Sequence, residues 1–258
     1  MPTEKPWRLA EAALPQLQES PPRVAVIPMA ATEPHGLHLP YATDVIETDA
    51  IGDRACEIAH RRGAAVTLLP TLPFGVQTTQ QAYPLAINLN PSTLFAVLDD
   101  IAQTLDNSGI RKAVILNGHG GNDFYTWLKE SHAERRVFVL QVNWFDVARG
   151  VAEGLFAGGG DHANEMETSL VLSLRPELVD MDRASDQATA RPRLAAMREG
   201  WARAPRVWDR YTKDSGAGDP RAATAEKGEQ YAEAVCQRIA DLLVELDAAE
   251  IDDRFPFE

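Results

Sequence analysis

The chain has 258 residues, 45% hydrophobic and 24% charged, a composition typical of a globular protein that can bury a sizeable core. Its net charge of −13, from 25 basic and 38 acidic residues, argues against binding to nucleic acid or to an anionic membrane surface. The sequence shows neither a hydrophobic signal core nor a membrane span, so we expect a cytoplasmic protein. Its partner is then expected to be a small-molecule substrate. We expect Cys56 and Cys236 to be buried free thiols.

Strand and helix patterns alternate along the chain. Apolar runs predict strands at residues 24–27, 65–69, 113–116 and 137–142. Helical spacing predicts helices at residues 49–62, from Asn90-Pro91 to near Gly109, and at 226–246. Two further helices are predicted, one that starts at about Phe124 and another that ends at about Leu174. Residues 179–220 carry no clear pattern. The alternation predicts one α/β domain over residues 1–258, a three-layer α/β/α sandwich around a mainly parallel sheet.

The first predicted strand is followed directly by Glu33, His35 and, nine residues further on, Asp44. In open α/β sheets, residues just past the carboxyl ends of strands line the ligand crevice. Glu33 and His35 are two residues apart and share one side of an extended segment, and Asp44 could return after the turn at Leu39-Pro40. These three residues are therefore candidate metal ligands.

Two later segments carry the same kinds of side chain. His119 follows the strand at 113–116 between glycines that let the backbone approach a ligand. His162, Glu165 and Glu167 lie at the start of a predicted helix, where the helix dipole favours carboxylates with or without a metal. Imidazole and carboxylate donors without a thiolate suit zinc, manganese or iron. One shared metal site is the prediction, and ordinary capping and surface residues are the alternative.

Together, these segments resemble the creatininase family of metal-dependent amidohydrolases. The family pattern is Glu-x-His-Gly-x-His-Leu-Pro…Thr-Asp, then Asn-Gly-His, then His-Ala-x-x-x-Glu-Thr-Ser, and the match spans residues 24–174. The resemblance implies a three-layer α/β/α fold, two divalent ions per chain and commonly a hexamer. It also implies that Glu33, His35, Asp44 and His119 are metal ligands, with Asp44 bridging, and that His162 lies near the substrate.

The chain departs from the family pattern in two places. Gly121 stands where the creatinine-opening members carry a metal-binding Glu, so we expect another carboxylate to complete the site. Glu165 is the predicted fifth ligand, because it lies three residues after His162 at the start of a helix, where residues three apart share a face. Glu167 is then a catalytic proton-transfer group beside His162. The segment around Gln77 and Gln80 also differs, so creatinine itself is not the expected substrate.

These residues predict a dinuclear hydrolase, with zinc expected first and manganese or iron as alternatives. A metal-bridged hydroxide would attack a small-molecule C–N bond in an amide, cyclic amide or formamide. Hydrolysis of a cyclic ketone C–C bond or of a peptide terminus remains open, as does a catalytically silent metal-binding oligomer. We expect a closed homo-oligomer, by resemblance a hexamer. Trp201 and Trp208 are candidates for subunit contacts, for a cover over a neighbour's site, or for local core.

Overall fold

The computed structural model describes residues 4–133 and 135–257. The strands are Val24–Met29 (β1), Val66–Leu68 (β2), Lys112–Asn117 (β3), Phe138–Asn143 (β4), Gly160–His162 (β5) and Ala217–Gly218 (β6). The first five helices are Leu14–Glu19 (α1), Thr43–Arg61 (α2), Pro91–Asn107 (α3), Tyr125–Glu130 (α4) and Trp144–Val147 (α5). The others are Arg149–Leu155 (α6), Glu165–Leu174 (α7), Ala195–Arg198 (α8), Trp208–Tyr211 (α9) and Ala225–Ala248 (α10).

The central sheet has four parallel strands in the order β2-β1-β3-β4. Both β1 and β3 are buried along their whole length, as expected for strands covered on both faces. Their register pairs Met29 with Asn117 at the carboxyl ends. The two segments that follow, which carry Glu33 and His119, therefore leave the sheet side by side.

Side chains alternate between the two faces of the sheet and build two separate cores. On one face, Val24 and Val114 pack with α2, α7 and α10. On the other face, Ala25 and Ile115 pack with α3 and α4. The three-layer α/β/α prediction is confirmed, and β5 and β6 form a small antiparallel pair apart from the main sheet.

Helix α2 begins six residues before the predicted start at residue 49. The apolar spacing that predicts a helix starts only at Ile51, because the first turns of α2 bury polar side chains instead. Thr43 Oγ1 donates a 2.7 Å hydrogen bond to the Pro40 carbonyl at the helix start. Asp44 therefore lies in the first turn of α2, where the helix dipole favours a carboxylate, and not on a returning loop.

Helices α7 and α10 pack closely behind the sheet edge. Gly228 of α10 faces the backbone of Ser169, and a Cβ at Gly228 would lie 2.0 Å from the Ser169 carbonyl oxygen. Cys56 and Cys236 are buried and unpaired, which confirms that prediction. None of the helices built from the described residues is long and apolar enough to cross a membrane.

The contact at Gly228 predicts a stability difference between two glycines. Gly228→Ala should lower the free energy of unfolding by about 1–3 kcal/mol, because a methyl group forces α10 away from α7. Gly154→Ala in α6 is the matched control, since a Cβ there meets nothing within 4 Å, and it should be neutral or mildly stabilising. Denaturant unfolding measures both, and equal effects would contradict the packing argument.

Candidate metal centre

Five side chains of the kinds that bind metal ions converge where the carboxyl ends of β1 and β3 meet two helix starts. Glu33 and His35 follow β1, and His119 follows β3. Asp44 lies in the first turn of α2 and Glu167 in the first turn of α7. The first four are buried, and the Glu167 side chain is 12% exposed. Four separate elements thus bring imidazoles and carboxylates to one point.

Besides a candidate group of Glu33, His35 and His162, the donor atoms form two groups that share Asp44. In the first group, His119 Nδ1 lies 2.9 Å from Glu33 Oε1 and 3.0 Å from Asp44 Oδ2. In the second group, His35 Nε2 lies 2.8 Å from Asp44 Oδ1 and 3.9 Å from Glu167 Oε1. Each group could hold one ion, with its donor atoms all within 4.8 Å of one another. The two oxygens of Asp44 point to different groups, which is the arrangement of a carboxylate that bridges two ions.

Neighbouring groups fix the orientation of these ligands. His35 Nδ1 lies 3.1 Å from the Glu33 carbonyl, which leaves Nε2 as the donor to a metal. His119 Nε2 lies 3.1 Å from the Val76 carbonyl and 3.0 Å from the Gln77 amide, which leaves Nδ1 facing the site. The Gln80 amide donates to Glu33 Oε2, so Oε1 is the free oxygen. Gln77 and Gln80, expected from the sequence to reshape the substrate pocket, also hydrogen-bond the candidate ligands His119 and Glu33.

His162 stands at the edge of the cluster. Its Nε2 bonds the Pro34 carbonyl at 3.0 Å, and its Nδ1 lies 3.8 Å from Glu33 Oε1. Its ring packs on the ring of His35 with centroids 4.2 Å apart. His38 lies outside the cluster and bonds the Thr168 hydroxyl at 2.8 Å, which fastens the loop after β1 to α7.

The electrostatics of the cluster show an excess of buried negative charge. Burial alone would lower the pKa of His35, but Asp44 raises it to about 10. Burial raises the pKa of Glu167 to about 7, although His35 opposes the shift. The pKa of Glu47, one turn after Asp44 in α2, is raised well above its usual value by burial and then by Glu167 and Asp44. Divalent cations would neutralise such a site, so the donor set fits the metal ions that its chemistry suggests.

Glu165, the fifth ligand expected from the sequence, takes a different position. Its Oε2 accepts hydrogen bonds from the backbone N–H groups of Ala157 and Gly158, each 2.8 Å long, and its Oε1 pairs with Lys227. It belongs to none of the candidate metal groups among the described residues, whereas Glu167 does. The geometry therefore favours Glu167 over Glu165 as a ligand.

The reason lies in the backbone between His162 and the helix. His162 ends strand β5, and Ala163 adopts a left-handed conformation with φ +50°. Asn164 then caps α7, accepting hydrogen bonds from the N–H groups of Met166 and Glu167. Because α7 begins only at Glu165, residues three apart across this junction do not share a face.

A cavity of about 670 Å³ opens above the donor cluster, within the size range of small-molecule sites. Trp208 is buried in its wall, with its ring 4.5 Å from that of His162. Arg206 and Asp161 line the same wall further out. Trp201 is 74% exposed and does not line this cavity, so its contact with a neighbouring subunit stays a prediction.

Comparison with known proteins gives consistent sequence matches. The sequence model of the creatininase family, described as creatinine amidohydrolase, matches residues 10–243. The creatinine amidohydrolase of Pseudomonas putida is 30% identical over 243 residues, covering 86% of this chain and 89% of that protein. The mycofactocin precursor peptide peptidase of Mycobacterium tuberculosis is 28% identical over 227 residues, covering 85% and 84%.

Solved structures extend the likeness to the fold. A candidate creatinine amidohydrolase from Bacteroides fragilis matches with a TM-score of 0.90 and 36% identity, over 97% of this chain and 100% of that one. Two creatininase structures, one named for manganese and one a mutant of zinc–zinc type, are each 26% identical with TM-scores of 0.78 and 0.79. They cover 94% and 96% of this chain and 99% and 100% of their own.

Substitutions of the two acidic residues of α7 should distinguish a metal ligand from a residue that stabilises the fold. Glu167→Gln should lose one of two bound ions, because it removes a donor beside His35. Glu165→Gln should keep both ions and instead lower stability by about 1–3 kcal/mol, because it breaks the charged bond to Lys227. Elemental analysis after dialysis, together with denaturant unfolding, measures both. The reverse pattern of metal contents would assign the ligand to Glu165.

Proposed function

Because this chain belongs to the creatininase family, we propose that it is a dinuclear metal-dependent hydrolase that cleaves a carbon–nitrogen bond in a small molecule. The chain is a hydrolase of that family, and the proposal adds the number of ions and the type of bond. The observation that carries it is the pair of donor groups sharing Asp44 at the base of a cavity. An amide, a cyclic amide or a formamide is the proposed bond.

The residues assign each ion a set of ligands. Glu33, Asp44 and His119 would hold one ion, and His35, Asp44 and Glu167 would hold the other. When bound, two divalent ions lower the pKa of a shared water and polarise a substrate carbonyl. Zinc is the first choice and manganese the second, in line with the solved creatininases named for those metals. Iron remains an alternative on donor chemistry alone.

His162 is the proposed proton carrier. Burial lowers the pKa of His162 to about 4, which favours the neutral imidazole. Its Nε2–H donates to the Pro34 carbonyl, which leaves Nδ1 as a free base facing Glu33. In that position Nδ1 can take a proton from the attacking water and return it to the leaving nitrogen. With Glu167 proposed as a ligand, proton transfer falls to His162.

A peptide terminus is the second candidate substrate. The cavity reaches from the donor cluster to exposed residues at its rim, Glu153 and Asp161. An opening of this kind leaves room for a chain that continues into solvent. The relative from Mycobacterium tuberculosis is named as a peptide peptidase.

The dinuclear proposal is tested by loading the protein with zinc or manganese and assaying formamides, cyclic amides and short peptides. We expect two ions per chain and activity that a chelator removes. Asp44→Asn should lower kcat/KM by more than about 100-fold, a larger loss than removal of an outer-shell partner causes. Glu57→Gln, the same chemical change on another face of α2, is the control and should keep both ions. Full activity without bound metal would refute the proposal.

We also propose a closed homo-oligomer, by resemblance a hexamer. Leu37, Tyr41, Phe74, Leu85 and Ile87 are exposed apolar side chains on two neighbouring loops. The loops are joined by a 2.7 Å hydrogen bond from Tyr41 Oη to the Pro84 carbonyl. An exposed apolar patch of this kind is typical of a protein interface.

Light scattering tests the assembly. The native protein should run as a closed oligomer. Leu85→Asp should shift it towards smaller species, because Leu85 is 82% exposed in the patch. Leu14→Asp, at an exposed leucine in α1 outside these loops, should leave the mass unchanged. A monomer at micromolar concentration would overturn the proposal.

A further inference from the structure

Arg206 is the only lysine or arginine among the described residues that line the cavity. The same wall carries the carboxylates of Glu153 and Asp161, and the floor carries those of the donor cluster. In a chain with a net charge of −13, a cation at this place stands out from its surroundings. It is also the one cavity-lining side chain with a permanent positive charge and a planar set of donors.

The guanidinium is held in a fixed orientation by two aromatic rings. Its central carbon lies 4.2 Å from the ring centroid of Trp208 and 5.1 Å from that of Tyr211. Stacking of this kind holds the plane of the guanidinium and leaves its edge free for hydrogen bonds. At 36% exposure the side chain is anchored at its face and reachable from solvent.

The edge of the guanidinium forms an ion pair with an exposed carboxylate, that of Asp161, which another anion could displace. Arg206 donates to both oxygens of Asp161, each at 2.9 Å. Asp161 is 63% exposed, so water can solvate its carboxylate in place of Arg206 at little cost in free energy. Both bonds come from Nη1, so one guanidinium nitrogen is held facing an acceptor of the kind that a carboxylate or a phosphate offers.

Arg206 is connected to the donor cluster through two neighbouring side chains, those of Trp208 and His162. Trp208 packs on Arg206 and also on His162, whose ring centroid is 4.5 Å away. His162 Nδ1 in turn lies 3.8 Å from Glu33 Oε1. The rings of Trp208 and His162, tilted by 58° to each other, thus lie between the guanidinium and the cluster. A small molecule with its reacting bond at the cluster could place a second group against Arg206.

We propose that Arg206 binds an anionic group of the substrate, a carboxylate or a phosphate, and that Asp161 holds the guanidinium until this group displaces it. The inference rests on the proposed function only in taking the bound molecule to be the substrate. It assigns the site a substrate class, small acids with an anionic group remote from the cleaved bond. It also gives Arg206 a specificity-determining role that the sequence motifs do not reveal.

Three matched probes with a long spacer test the proposal on the metal-loaded protein: N-acetyl-6-aminohexanoate, N-acetyl-5-aminopentylphosphonate and the neutral N-acetyl-6-aminohexanamide. Ligand-observed NMR measures their binding and shows separately whether any probe is hydrolysed. We expect at least one anionic probe to bind about tenfold or more tightly than the neutral one, through charge-assisted hydrogen bonds. The tighter of the two anionic probes identifies a carboxylate or a phosphate as the preferred group.

The variants separate recognition from simple structural support. Arg206→Gln should abolish the preference for anions, and Arg206→Lys should retain part of it. Asp161→Asn should tighten anion binding several-fold, because the competing carboxylate is removed. Arg221→Gln is the control, since Arg221 forms a similar pair with Asp219 away from the cavity, and it should change nothing.

The proposal is overturned if the three probes bind equally, if Arg206→Gln keeps the preference, or if Asp161→Asn fails to tighten binding. The last result would make the pair a structural clamp. Absence of hydrolysis with an intact anion preference would count against the proposed function and leave the role of Arg206 supported.

Discussion

Three carboxyl groups are fully buried in this part of the protein, those of Glu33, Asp44 and Glu47, and that of Glu167 lies beside them with 12% exposure. Charges of one sign repel strongly in a low-dielectric interior, so they persist only with protons or cations beside them. Neither oxygen of Glu47 has a hydrogen-bond partner among the described residues, and burial raises the pKa of this group well above its usual value. The other three face His35 and His119, and the rest of the site follows from the need to compensate them.

The fold supplies part of that compensation through its helix starts. Asp44 and Glu167 both lie in first turns, where unpaired backbone N–H groups and the helix dipole favour negative charge. The parallel strands β1 and β3 end in register and bring their loops to the same place. Where the carboxyl ends of parallel strands face two helix starts, carboxylates can therefore be brought together without a lysine or arginine beside them to compensate their charge.

Much of this could be predicted from the sequence because the signals are local. Glu33, His35 and His119 follow apolar strands directly, and parallel strands place such segments side by side. The choice between Glu165 and Glu167 depends on the left-handed backbone at Ala163, which no spacing rule predicts for an alanine. Arg206 lies in a stretch without periodicity, so only its tertiary contacts with Trp208 and Tyr211 reveal its place in the cavity.

Because α10 packs on α7 and is made after it, the candidate metal centre can be assembled only in a certain order during synthesis of the chain. Four of the candidate ligands have been made once residue 119 is added. The fifth, Glu167, lies on α7, which is fastened by the Lys227–Glu165 pair and by the close approach of Gly228 to Ser169. A nascent chain lacking residues 225–248 could gather the first donor group but would lack the packing that holds the second. The second candidate donor group therefore depends on a helix that is made after all of its own residues.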